Sequence, residues 1–222
     1  MRTLVLALTV LNVSADPQPG RDADAQQFAR WEKEVSAIEK RLADDPPKPG
    51  CVIFAGSSSV RQWDLKKSFP GAGYVNVGFG GSQIPDCTHF VGRLIAPHKP
   101  RAVVLYAGDN DLAAGRTPEQ VLADFRAFCT AVHATVPKCR VLFVAVKPSP
   151  ARWKIVETQK KANALVRDYC KTDDRLAFVD VVPPMLGADG TPVAALYAKD
   201  GLHLSPEGYE KWTAAVGKAL GE

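Results

Sequence analysis

Five short apolar runs, spaced by segments with helical periodicity, constrain this chain more than any other feature. They cover residues 51–55, 74–77, 102–107, 140–146 and 176–179. Each is of strand length and is bounded by turn formers or charged residues. They lack the regular polar alternation of a strand with one wet face, so they predict a parallel sheet buried on both sides.

The intervening segments can supply that cover. Phe28, Trp31, Val35, Ile38 and Leu42 recur every three or four positions and share one face of a predicted helix, which the proline-rich stretch 45–50 stops. Thr117, Pro118 and Gln120 give a cap, a first-turn proline and a capping-box partner for a helix over 118–136, with Val121, Phe125, Phe128, Val132 and Val136 as its apolar stripe. Ser205-Pro206-Glu207 opens a last helix that runs to about Leu220 by the same logic. Strands joined by right-handed helical crossovers make an α/β domain, a three-layer α/β/α sandwich with a flavodoxin-like five-stranded parallel sheet. In such sheets ligands bind beyond the carboxyl ends of the strands, so reactive residues are expected just after each apolar run.

At 222 residues the chain suits one domain with a sizeable core. Its organisation reads as a signal peptide over 1–15, a linker over 16–23 and a single domain over 24–222. Arg2 carries positive charge, Leu4 to Val13 are mostly apolar, and Val13-Ser14-Ala15 offers small residues for cleavage near Ala15. Export to the periplasm or the extracellular space is therefore expected. The apolar stretch falls well short of the roughly 20 residues that span a bilayer, so no membrane span is expected. The net charge of +4 is dispersed among acidic residues rather than gathered on one face, which argues against a nucleic-acid partner. The five cysteines Cys51, Cys87, Cys129, Cys139 and Cys170 show no CxxC or His pairing, so metal binding is not expected. No cofactor is expected either. The cysteines read either as small buried hydrophobes or, in an oxidising compartment, as partners in a bridge; Cys129 and Cys170 then fit best, because their helices should be neighbours.

Four motifs follow the strands. Gly56-Ser57-Ser58-Ser59 stands at the first strand-to-helix turn, where a serine hydroxyl is exposed at the sheet edge near helix-terminal N–H groups. Taken alone, such a cluster is more often a turn or a phosphate cradle. Asn76-Val77-Gly78-Phe79-Gly80-Gly81-Ser82 follows the second run; its glycines let backbone approach a ligand, but the spacing is not that of a dinucleotide-binding loop. Gly108-Asp109-Asn110-Asp111 ends the third run with an amide donor and carboxylates, equally compatible with a capped turn. Asp200-Gly201-Leu202-His203 precedes the last helix, and a carboxylate three residues before an imidazole can orient it as a general base. His89, His98 and His133 read as surface or packing residues.

In this order the blocks Gly56-Ser57-Ser58, Gly81, Gly108-x-Asn110-Asp111 and Asp200-x-x-His203 resemble those of SGNH, or GDSL-like, hydrolases over nearly the whole chain after its leader. The run Gly56 to Arg61 followed by Asn76 to Gly81 looks like a serine-rich subset, with Ser57 where the family usually has Asp. The resemblance implies a serine esterase with Ser58 as nucleophile, His203 as base and Asp200 as its partner. It also implies an oxyanion hole made of the Ser58 and Gly81 N–H groups and the Asn110 amide. The segment 147–153 follows the fourth run and is expected to rim the site, with Arg152 or Trp153 against substrate or Trp153 against the next helix. The expected partner is a small-molecule or carbohydrate ester, with short acyl or acetyl groups favoured because no long apolar lid segment is visible. Lysophospholipids and thioesters are the alternative substrates; a non-catalytic carbohydrate-binding or scaffold protein is the alternative function.

Overall fold

The computed structural model describes residues 28–221; the leader and linker lie outside the described residues, as does the start of the expected domain. Five strands form one sheet: β1 (Val52–Gly56), β2 (Val75–Asn76), β3 (Ala102–Tyr106), β4 (Arg140–Val144) and β5 (Leu176–Val179). Their order is β2-β1-β3-β4-β5 and every pairing is parallel. This is the doubly wound arrangement expected, in which the strand order reverses at β1 and β3.

The two-residue period of a strand sends alternate side chains to opposite faces. Ile53, Val103, Leu105, Val141 and Phe143 enter one core layer, Val52, Phe54, Val104, Tyr106, Leu142 and Val144 the other. The first layer is covered by α1 (Glu32–Asp44), α4 (Ile84–His89), α5 (Val91–Leu94), α7 (Pro118–Thr135) and α8 (Val156–Cys170). The second is covered by the short α2 (Ser58–Arg61) and α3 (Leu65–Ser68) and by the terminal α9 (Pro206–Leu220). The remaining helix, α6 (Asp109–Ala113), opens directly from the turn after β3.

Helix ends follow their caps. Thr117 Oγ1 accepts from Gln120 N–H while the Gln120 side chain accepts from Thr117 N–H, closing the capping box of α7. Ser205 Oγ accepts from Gly208 N–H at the start of α9. Regular α1 begins only at Glu32, with Trp31 as its N-cap; Phe28 and Trp31 still pack on the core from outside the regular helix. β4 is two residues shorter than its apolar run, because the Asn163 amide takes over both the N–H and the C=O of Val146 at 2.8 Å.

The helices α7 and α8 are neighbours on one face, yet Cys129 and Cys170 are free thiols, as are the other three cysteines. The bridge is not what the structure shows. Cys129 and Cys170 fill the apolar layer as small hydrophobes, and burial pushes the Cys170 thiol up to about 11. Among the described residues no helix is long and apolar enough to cross a membrane.

Gly56 is the point at which β1 leaves the sheet for α2. Its φ is +137°, and a Cβ there would overlap the backbone carbonyl oxygen of Tyr106 on β3. Replacing it by alanine should cost about 3 kcal/mol or more of unfolding free energy in urea titration, from strain and overlap together. An unchanged unfolding midpoint would show that the turn is not confined as described.

Candidate active site

Ser58 is the first residue of α2, so its N–H has no carbonyl one turn back to bond. Of the three adjacent serines, Ser57 and Ser59 are buried and Ser58 is half-exposed. The Ser57 N–H bonds to Tyr106 O, and the Ser59 carbonyl accepts from the Tyr209 hydroxyl. Only Ser58 therefore offers its hydroxyl at the sheet edge, although Ser57 and Ser59 share its chemistry.

His203 reaches that hydroxyl from the other end of the chain. Its Nε2 lies 2.9 Å from Ser58 Oγ, and its Nδ1 lies 2.6 Å from Asp200 Oδ2. Asp200 Oδ1 accepts from the N–H groups of Leu202 and His203, both at 2.9 Å. These donors, led by the His203 ring, hold the Asp200 carboxyl down at about 2, so it is a carboxylate at any ordinary pH. With Nδ1–H facing that carboxylate, the neutral ring presents an unprotonated Nε2 to Ser58. The turn carrying the pair is pinned where Ala151 N–H donates to Gly201 O and Ala198 N–H to His203 O.

The loop after β2 lies beside α2. Gly78 approaches Val60 and Arg61 so closely that a Cβ would clash with both, and the Asn76 side chain donates to the carbonyls of Val60 and Trp63. Gly81 has a φ of +78° and is exposed. Among the described residues the N–H groups of Ser58 and Gly81 donate to no backbone carbonyl. Asn110, at the start of α6, donates Nδ2–H to Ser82 O at 3.0 Å, which ties its amide to the loop that carries Gly81.

Asp111, three residues after Gly108 and on the first turn of α6, joins these loops. Its Oδ1 accepts from Ile84 N–H at 3.0 Å and its Oδ2 from Gly108 N–H at 2.9 Å. The side chain is buried, and desolvation pushes its carboxyl up to about 6 against those two donors.

Behind Asn110 lies a buried ionic network that pattern reading did not find. Asp109 receives Lys147 Nζ at 3.4 Å, Arg152 Nη1 at 2.9 Å and Gln159 Nε2 at 3.1 Å. Lys147 is fully buried, and desolvation pushes its ammonium down from the usual lysine range. Arg152, expected at a rim, turns inward to this carboxylate, whereas Trp153 remains half-exposed. A lysine directly after the apolar run 140–146 is the available signal, but sequence pattern alone reads such a lysine as solvated. His89 stacks on Phe28 and His133 bonds to Cys139 O, in keeping with packing roles.

The model of the GDSL-like Lipase/Acylhydrolase family matches residues 45–211. The chain is 29% identical over 211 residues to platelet-activating factor acetylhydrolase IB subunit alpha1 of Bos taurus, covering 89% of this chain and 84% of that one. A GDSL-like lipase from Bacteroides thetaiotaomicron superposes with a TM-score of 0.69 at 24% identity, over 87% of this chain and 97% of that one. A carbohydrate esterase family 3 protein from Talaromyces cellulolyticus gives 0.59 at 18% identity, over 76% and 95%. The chain belongs to the GDSL-like lipase/acylhydrolase family.

Asp111 yields a pH test. Its folded-state carboxyl titrates near 6, above the ordinary unfolded value, so between about pH 4 and 6 the folded form binds the extra proton. The group's contribution to stability therefore shrinks as pH rises through that window. Asp111→Asn keeps one acceptor and sets an amide N–H against the second backbone donor, which should cost about 1–3 kcal/mol. The gap between native and variant in urea unfolding should narrow from pH 4 to 6 and then level; a gap that widens would contradict the assignment.

Proposed function

We propose that this GDSL-like acylhydrolase is a serine esterase acting on short-chain or acetyl carboxylic esters. The observation that carries the reading is the continuous path from Asp200 through His203 to the Ser58 hydroxyl, with contacts of 2.6 Å and 2.9 Å. A nucleophile, a base and an orienting carboxylate in hydrogen-bond sequence is the arrangement that acyl transfer through serine requires.

In the first half-reaction His203 Nε2 takes the Ser58 proton while Oγ attacks the ester carbonyl carbon. The tetrahedral oxyanion is received by the Ser58 and Gly81 N–H groups and one Asn110 Nδ2–H. Collapse breaks the carbonyl carbon to alkoxy oxygen bond, and His203 returns its proton to the departing alcohol. Water then attacks the acyl-Ser58 ester with His203 again as base; the acid leaves and the proton returns to Oγ. Asp200 stays ionised throughout and stabilises the imidazolium between transfers.

The short-acyl preference draws on the two kinds of relative. One is named an acetylhydrolase and the other a carbohydrate esterase. Acetyl esters, including those on carbohydrates, are accordingly the favoured substrates, ahead of lysophospholipids and thioesters. Residues 1–15 are proposed to direct export, so that the enzyme meets its substrate outside the cytoplasm.

Hydrolysis of p-nitrophenyl esters from acetate to palmitate tests the reading. Turnover should fall steeply with chain length and vanish in Ser58→Ala. Asn110→Ala should lower kcat by about 10²–10³, the usual effect of losing one oxyanion donor, with folding nearly intact. Native turnover by Ser58→Ala would contradict the mechanism, and a maximum at palmitate would overturn the substrate class.

A further inference from the structure

Arg152 stands on the loop after β4, and its guanidinium makes two contacts at once. Nη1 pairs with Asp109 Oδ2 at 2.9 Å, and Nη2 donates to Asn110 Oδ1, also at 2.9 Å. Asp109 is itself fixed by Lys147 and by Gln159, so the guanidinium is held at an anchored carboxylate rather than in solvent. Its side chain is only 19% exposed. The backbone around it is tied down too, since Arg152 N–H donates to Ser149 O and Ala151 N–H donates to Gly201 O.

These contacts decide which way the Asn110 amide points. A guanidinium has only donors, so the atom of Asn110 that faces it has to be the oxygen. On the opposite side the Ser82 carbonyl can only accept, and it receives Nδ2–H at 3.0 Å. Rotating the amide by half a turn would set N–H against N–H at Arg152 and oxygen against oxygen at Ser82. In the orientation held, one Nδ2 hydrogen is spent on Ser82 and the second is left for a ligand. In the rotated one a carbonyl oxygen would stand where negative charge develops, and repel it.

We infer that Arg152 is a positioning residue for the oxyanion hole, locking the Asn110 amide with its donor edge toward the reacting carbonyl oxygen and using Asp109 as the anchor. The inference rests on the esterase reading above, and it assigns Arg152 a role through Asn110 rather than direct contact with substrate. A lysine in its place keeps the charge toward Asp109 but lacks the planar fork that spans both partners. Charge alone therefore does not replace it.

The test is a double-mutant cycle on p-nitrophenyl acetate, reading kcat and KM separately for the native enzyme, Arg152→Lys, Asn110→Ala and the two combined. Arg152→Lys should lower kcat about tenfold and leave KM within about twofold, the pattern of a donor held slightly out of place. In the Asn110→Ala background the same change should cost less than about twofold, because its only route of action is gone. Losses that multiply in the double variant, or a loss confined to KM, would overturn the inference; the latter would indicate direct substrate contact. Thermal unfolding is followed alongside, and if Arg152→Lys does not fold, Arg152→Met enters the same cycle and is judged by the same two outcomes. Ser58→Ala separates the two levels. Native turnover there sinks the esterase reading, whereas an inactive Ser58→Ala beside a native kcat in Arg152→Lys sinks only the positioning role.

Discussion

A hydrogen bond between Ser58 and His203, side chains 145 positions apart in the chain, is the interaction on which the rest of the site depends. A contact of such sequence separation is costly in chain entropy, and local propensity cannot supply it. It exists because β1 ends at Gly56 beside Tyr106 of β3, while the terminal helix α9 packs Trp212 and Val216 on the same face as α2. The burial of those apolar side chains fixes the frame. The hydroxyl and the imidazole are then carried to one edge at no separate cost.

The other members of the site are held by groups that are themselves buried and paired. Asp111 binds the loop after β2 to the loop after β3, and Asp109 gathers Lys147, Arg152 and Gln159 behind Asn110. Buried charges of this kind are expensive unless fully partnered, and replacing them by apolar residues often leaves stability unchanged or improves it. Their value here lies in orientation. Carboxylates and a guanidinium accept only certain neighbours, so they fix backbone N–H groups and one amide in directions that apolar packing would leave free.

The fold was legible in the sequence because a parallel sheet buried on both faces leaves apolar runs that little else produces. The runs ending at Ala55 and Ala107 gave the strand ends nearly to the residue. The run 140–146 overreached, since the Asn163 amide, far along the chain, replaces the neighbouring strand at Val146. Ser58, Asn110 and the Asp200–His203 pair were readable because each follows a strand or precedes a capped helix. The position of Arg152 on the loop after β4 is readable from the sequence, but its contacts with Asp109 and Asn110 are not, and neither is the gathering of Lys147 and Gln159 on the same carboxylate. Their meeting is a property of three elements converging, and charge patterning assigns a lysine to solvent unless the partner is known. The cysteine pairing failed for a related reason, because adjacency of helices does not bring two sulfurs into bonding geometry.

The central claim is that Ser58, and neither of its serine neighbours, is a nucleophile activated by His203. Its most direct test is reaction with a fluorophosphonate, followed by mass spectrometry of the peptide that contains residues 57–59. The account predicts a single adduct on Ser58 whose rate of formation falls by about 10²–10⁴ in His203→Ala, the usual worth of a positioned base. An adduct on Ser57 or Ser59, or labelling that proceeds at the native rate without the imidazole, would contradict it.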